Sequence, residues 1–324
     1  MVLRTRGLVA AVATVTAVLV AALFAPVATA STSLTAAPAA PAASSNDWAP
    51  AATAAIRPGV LTETAGGGSC TANFVFTAGG TDGSTPQAGR RRTFIGQAAH
   101  CGGTGAETET DGCSSGTVGL GVPVTIRGAG GRDVTGHVAY SSWVAMQANG
   151  ESDPDSCAYN DLALVEIDPA DVALVNPSVP FFGGPTGIDT DGLAPGEQVF
   201  SYGNSPLRLG ISALSPKVGI SAGDTGRGRS HVVYTLSPGI PGDSGSAYLD
   251  ARGAAVGQLS TLNLAPLPVS NGVGDIAKEL AYANADGGLG DIELALGTEP
   301  FTPTPAGVDP TQLATPAGPP LGQA

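Results

Sequence analysis

Few residues in this 324-residue sequence are equipped for chemistry. Histidine occurs three times, as His100, His137 and His231. His100 follows a strand-like run and two alanines, and Cys101 comes next. Asp161 stands in Asn160-Asp161-Leu162-Ala163-Leu164, at the entry to an apolar run. Ser244 lies in Pro241-Gly242-Asp243-Ser244-Gly245-Ser246, a turn flanked by glycines. Taken singly, each has an ordinary explanation: a packed or exposed His, an Asp capping a turn, a Ser in a loop. Taken together they fit nucleophilic catalysis. A serine hydroxyl attacks at neutral pH only when a base takes its proton, and the base needs a buried carboxylate to hold its tautomer. Gly242 and its neighbours can turn backbone N–H groups toward one point as an oxyanion hole, whose loss costs about 3 to 4 kcal/mol per donor.

Positioning three such residues calls for a rigid scaffold, and the sequence points to strands. Runs rich in β-branched and aromatic residues recur between Gly, Pro, Asp and Ser clusters, at 70–76, 93–97, 122–127, 133–140, 162–167, 198–202, 218–221, 231–236, 246–249 and 255–259. This is the pattern of an all-β sandwich or barrel. Residues 274–285 alone read as a helix of several turns, with Asp275 as N-cap, Ile276, Leu280 and Ala283 on one face, and Gly287 near the stop. The Pro- and Gly-rich stretch 177–195 is the candidate crossing between two halves.

The ends have a different composition. Residues 1–30 carry Arg4 and Arg6, an apolar run from Leu8 to Phe24 and a closing Ala28-Thr29-Ala30, the pattern of a cleaved secretory signal peptide. Residues 31–57 read as a disordered Ala/Pro/Ser-rich linker or short pro-segment, and 298–324 as a disordered Pro-rich tail. The body, 58–297, holds 13 of the 16 aromatic residues and all four cysteines. The net charge of −13 argues against nucleic acid as partner, and no membrane association is expected once the leader is removed. Four cysteines in an exported chain read as two disulfides with three possible pairings, and the absence of a C-x-x-C spacing argues against zinc. We favour Cys70 with Cys101, which would clamp the chain beside His100, and Cys113 with Cys157. The first closure contributes about 3 to 4 kcal/mol in the chain-entropy view.

Ala98-Ala99-His100-Cys101, Asp161-Leu162-Ala163-Leu164 and Gly242-Asp243-Ser244-Gly245, in that order, resemble the three signatures of chymotrypsin-like (trypsin-fold) serine proteases, especially secreted bacterial members. The resemblance spans Cys70 to about Asn263. It implies two antiparallel six-stranded β-barrels, here about 58–176 and 190–273, followed by a C-terminal helix at about 274–286. It also implies a monomeric, extracellular serine endopeptidase with a polypeptide substrate and neither cofactor nor metal. Ser244 becomes the acyl-forming nucleophile, His100 the general base and then acid, and Asp161 the orienting carboxylate. The oxyanion hole falls to the N–H groups of Gly242 and Ser244. Cys70 and Cys101 match the family's bridge around the His loop, whereas Cys113 with Cys157 has no counterpart. Ser260 matches the cleft strand whose hydroxyl supports the Asp.

The departures bear on specificity. Pro238 stands where an Asp would select basic side chains, so Arg or Lys preference is unsupported. Thr261 and Leu262 occupy places that are often aromatic and Gly, and the bulk of Leu262 would favour small or medium apolar side chains. Asp243 is expected to find an internal partner, such as an Arg, in place of a freshly cut N-terminus. An α/β-hydrolase order fails because no His follows Ser244, and a phosphate-binding loop fails for want of its Lys. Two alternatives stay open at this stage: a catalytically silent binding or adhesion module of the same fold, and a small-ester hydrolase.

Overall fold

The computed structural model describes residues 48–79, 91–106, 109–263 and 269–303. The expected signal peptide, most of the expected linker and most of the expected tail lie outside the described residues. Strands run in chain order as β1 (Leu61–Thr64), β2 (Ser69–Thr71), β3 (Val75–Ala78), β4 (Arg92–Ala98), β5 (Pro123–Arg127), β6 (Val134–Ser141) and β7 (Leu162–Ile167). They continue as β8 (Gln198–Tyr202), β9 (Pro216–Thr225), β10 (Ser230–Thr235), β11 (Ala247–Leu249), β12 (Ala255–Asn263), β13 (Ser270–Asp275) and β14 (Ile292–Leu294). Helices α1 (Ser142–Asn149) and α2 (Pro154–Tyr159) precede β7, and α3 (Ile276–Asp286) follows β13.

The second half meets the expectation of a six-stranded barrel: β10-β13-β12-β11-β8-β9 closes on itself. The first half does not. It is an eight-stranded antiparallel sheet in the order β14-β3-β4-β7-β6-β5-β1-β2, whose two edge strands, β14 and β2, are three residues each. β14 comes from beyond α3 and adds to β3, opposite Phe76 to Ala78.

Each half has its own apolar centre, Ile56, Ile95, Val124, Ile126 and Val165 in the first and Val199, Val233, Tyr248 and Val273 in the second. A third cluster joins Phe76, Phe94 and Leu164 of the first sheet to Phe200 and Leu249 of the barrel and to Ile276 and Leu280 of α3. Burying side chains of this size is worth about 1.5 to 3 kcal/mol each, so this shared centre fixes the two halves against each other.

Three expectations need correction. The run 70–76 is broken into β2 and β3, because Asn73 turns its side chain onto the next amide (Phe74 N to Asn73 Oδ1, 2.7 Å). Helix is not confined to the C-terminal region. α2 starts on Pro154 after Asp153, whose carboxylate accepts from the Asp155 and Ser156 amides. Finally, order extends past both expected limits of the body. Ala54, Ala55 and Ile56 are buried, and Phe301 packs edge-on against Phe200 at 5.4 Å. The expected N-cap of α3 is observed, with Asp275 accepting from Lys278 N. Among the described residues no helix is long and apolar enough to cross a membrane.

Candidate active site

β4 and β7 are neighbours with Ala98 opposite Leu162, so the residues just beyond that pair, His100 and Asp161, are brought together by strand register. The Ala99 amide donates to Asp161 O at 2.6 Å. His100 sits in a single 3₁₀ turn, Ala99–Gly102, stapled to β2 by the Cys70–Cys101 disulfide; the second bridge is Cys113–Cys157. Both match the favoured pairing. Cys70, His100 and Cys101 cluster closely, but both sulfurs are committed to the disulfide and offer no thiolate to a metal.

The Asp161 carboxylate is fully engaged. Oδ1 accepts from the His100 amide at 2.8 Å, and Oδ2 lies 2.7 Å from His100 Nδ1 and accepts from Ser260 Oγ at 2.5 Å. Placing the proton on Nδ1 leaves Nε2 of neutral His100 as an acceptor. Burial disfavours the imidazolium, yet the charge of Asp161 and its hydrogen bond outweigh burial, so the His100 pKa is raised above its ordinary value.

Ser244 is held by the other half. Thr71 N donates to Ser244 O and Thr71 Oγ1 to Gly242 O, both at 2.8 Å. Gly245 N donates to Leu259 O at 2.7 Å. Gly245 has φ +84°, and a Cβ there would lie 2.5 Å from Thr71 O and 2.9 Å from Ala98 N. Glycine therefore lets the turn press against the end of β4 that leads into His100. Gly242 has φ +92°, and among the described residues neither its amide nor that of Ser244 donates to a protein acceptor. No hydrogen bond joins Ser244 Oγ to His100 Nε2 among the described residues; such contacts are often long before substrate binds.

Asp243 is completely buried and has the internal partner expected of it. Arg208 donates to both carboxylate oxygens, Lys217 Nζ lies 3.0 Å from Oδ2, and the amides of Ser205 and Ile240 donate as well. Burial would raise the Asp243 pKa, but the hydrogen bond and charge of Arg208 and the charge of Lys217 lower it on balance.

No family model and no curated protein matches the sequence. Solved structures do. Thermobifida fusca Protease A aligns at 17% identity and TM-score 0.43 over 75% of this chain and 100% of its own. Nocardiopsis Protease aligns at 16% identity and TM-score 0.40, over 74% and 98%. A glutamic acid specific serine protease aligns at 18% identity and TM-score 0.40, over 71% and 98%. The chain is similar to bacterial serine proteases.

The expected substrate-side residues divide. Ser260 turns toward Asp161, as expected of a supporting hydroxyl. Pro238 presents its carbonyl to Arg208 Nη2 at 3.2 Å, Thr261 bonds Asn263, and Leu262 is 40% exposed. Between these segments lies a residue that sequence reading passed over. Asn271 Oδ1 accepts from Gly239 N at 2.8 Å, and its Nδ2 donates to Thr261 O at 3.2 Å and Gly239 O at 3.4 Å. It is buried on β13, a strand of Ser, Asn, Gly, Val, Gly and Asp whose composition carries no strand signal. Glu279, Gln258 and Asn73, buried behind Asp161, were also missed. One clue existed: Gln258 stands two residues before Ser260, and alternate residues of a strand share a face.

Proposed function

We propose that the chain is a secreted serine endopeptidase that cleaves peptide bonds through an acyl-enzyme on Ser244. The observation that carries this reading is the three-way grip on Asp161 by the His100 amide, the His100 ring and the Ser260 hydroxyl. That grip serves a histidine that must lose and regain a proton.

In the proposed reaction Ser244 Oγ bonds to the scissile carbonyl carbon while His100 Nε2 takes the hydroxyl proton. The carbonyl oxygen, now negative, is received by the Gly242 and Ser244 amides. His100 then returns its proton to the departing amine as the C–N bond breaks. A water repeats the sequence, breaking the ester and releasing the acid. The Asp161 carboxylate offsets the imidazolium charge, a role to which its hydrogen bonds are suited. The pairing of Asp243 with Arg208 supports a turn that is set without an activating cut. Two disulfides suit an oxidising, extracellular setting.

For specificity, Asn271 bridges Gly239 and Thr261, which belong to the two segments expected to wall the substrate side chain. We infer a preference for small side chains there. The test is labelling with a serine-directed phosphonate. Labelling of Ser244 that is lost in Ser244→Ala, together with cleavage of a peptide library, is the expected result. Absence of labelling and of peptide hydrolysis in the mature protein refutes the reading, and hydrolysis of small esters alone would refute the peptidase part.

A further inference from the structure

Behind Asp161, away from its carboxylate, the molecule buries a second acid. Glu279, in the first turn of α3, is 2% exposed and, among the described residues, has no cationic partner. Its Oε1 accepts from the Asp161 amide at 2.9 Å. The side-chain amide of Gln258 donates to Glu279 Oε2 at 3.1 Å and Oε1 at 3.3 Å, and also to Asp161 O at 2.7 Å. Gln258 is in turn fixed by Asn73 Nδ2, 2.8 Å from its Oε1. Room for the carboxyl is left by Gly274, where a Cβ would meet Glu279 Oε1 at 2.4 Å.

Both main-chain polar groups of Asp161 therefore end on this array, the N–H on Glu279 and the C=O on Gln258 and Ala99 N. Burying a carboxyl without a counter-charge is expensive unless its hydrogen bonds repay it. The titratable groups facing Glu279 are Asp161 and Asp275, whose negative charges both disfavour its ionised form. Burial and then the charge of Asp161 push its pKa well above the ordinary carboxyl range, while the hydrogen bonds from the Asp161 amide and Gln258 pull the other way.

We propose that Glu279 is a positioning residue for the His100–Asp161 pair, fixing the Asp161 main chain so that its carboxylate stays aligned on the His100 ring. The proposal rests on the peptidase reading for its catalytic consequence, but its geometric core concerns the pair itself. A displacement near 1 Å at a catalytic group can cost about 100-fold in rate, and no other acidic side chain bonds the Asp161 amide among the described residues.

The test compares Glu279→Gln, which keeps an acceptor oxygen for the Asp161 amide, Glu279→Leu, which removes it, and Gly274→Ala, which pushes the carboxyl away. The His100 ring is titrated by NMR in the mature protein and in each variant, and kcat and KM are measured per phosphonate-titrated site. Glu279→Leu is expected to lower the His100 pKa toward its free value of about 6.5. It should also reduce kcat by about 10- to 100-fold with KM within about twofold. Glu279→Gln should keep the wild-type titration, with kcat within about threefold, and Gly274→Ala should fall between. An unchanged His100 titration in Glu279→Leu, or a loss in Glu279→Gln equal to that in Glu279→Leu, overturns the proposal. Should Glu279→Leu not fold, an unchanged titration in Gly274→Ala does so. The titration needs no turnover, so a wild-type chain that fails to label Ser244 would remove the peptidase reading while leaving this comparison intact.

Discussion

The two cations on Asp243 are unequal, and the difference can be measured. Arg208 reaches both carboxylate oxygens and also donates to Ser237 Oγ and Pro238 O, whereas Lys217 Nζ approaches Oδ2 alone. Lys217 is fully buried. Burial lowers its pKa, the Asp243 charge pulls it up and Arg208 pushes it down, leaving it at about 8 against 10.5. At 1.36 kcal/mol per pH unit, that difference sets about 3 kcal/mol against keeping the ammonium charged in the fold. Lys217→Met should therefore be neutral to stabilising at pH 7, by up to about 3 kcal/mol. Arg208→Met should cost about 3 to 5 kcal/mol, because it removes the principal partner of a buried carboxylate. The sign with pH follows from proton counting. Between about pH 8 and 10.5 the unfolded chain binds more protons at Lys217 than the folded chain does, so the Lys217 contribution to stability rises with pH across that window. Urea unfolding of wild type, Lys217→Met and Arg208→Met at pH 7 and near pH 9.5 reads both effects. Equal destabilisation by the two substitutions, or a wild-type-to-Lys217→Met difference that does not change with pH, would refute the reasoning.

Three further outcomes are expected. Acylation of Ser244 should rise with pH through a midpoint above 6.5, because Asp161 raises the His100 pKa despite burial; in Asp161→Asn, where burial alone remains, NMR titration should place His100 below 6.5. Asn271→Gly should shift a peptide-library profile toward larger side chains, and an unchanged profile would dismiss the Asn271 bridge as a selector. Replacing Cys113 and Cys157 by Ser opens a 44-residue separation and should cost about 4 kcal/mol of unfolding free energy, read by denaturant titration.

Much of the site was legible because its members lie in short, distinctive runs. His100, Asp161 and Ser244 each stand at a strand end or turn whose neighbours announce it, and the β-branched runs of β4, β7 and β12 show how they are carried. The illegible part is long-range. Asn271 and Glu279 sit in β13 and at the start of α3, and they gain meaning only when Gly239 and Asp161 arrive from 32 and 118 residues away. β13 escaped notice because its glycines answer to close neighbours, Thr261 and Glu279, rather than to strand propensity. The open first sheet was missed for a similar reason: β14 is three residues long and is recruited from the far end of the chain.

That recruitment constrains the order of events during synthesis. β14 completes a sheet whose other seven strands are finished by Ile167, and the segment after it ties back to the crossing between the halves. Thr298 and Glu299 donate to Ser178 Oγ, Gly184 donates to Glu299 O, and Thr302 donates to Phe182 O. Contacts spanning more than 100 residues close late, since the entropy of the intervening loop must be lost first. A nascent chain halted after the first sheet would expose the edge of β3, an invitation to pairing with other chains. The architecture thus makes the first sheet wait for β14, a strand synthesised more than 100 residues after the other seven with which it is sheeted.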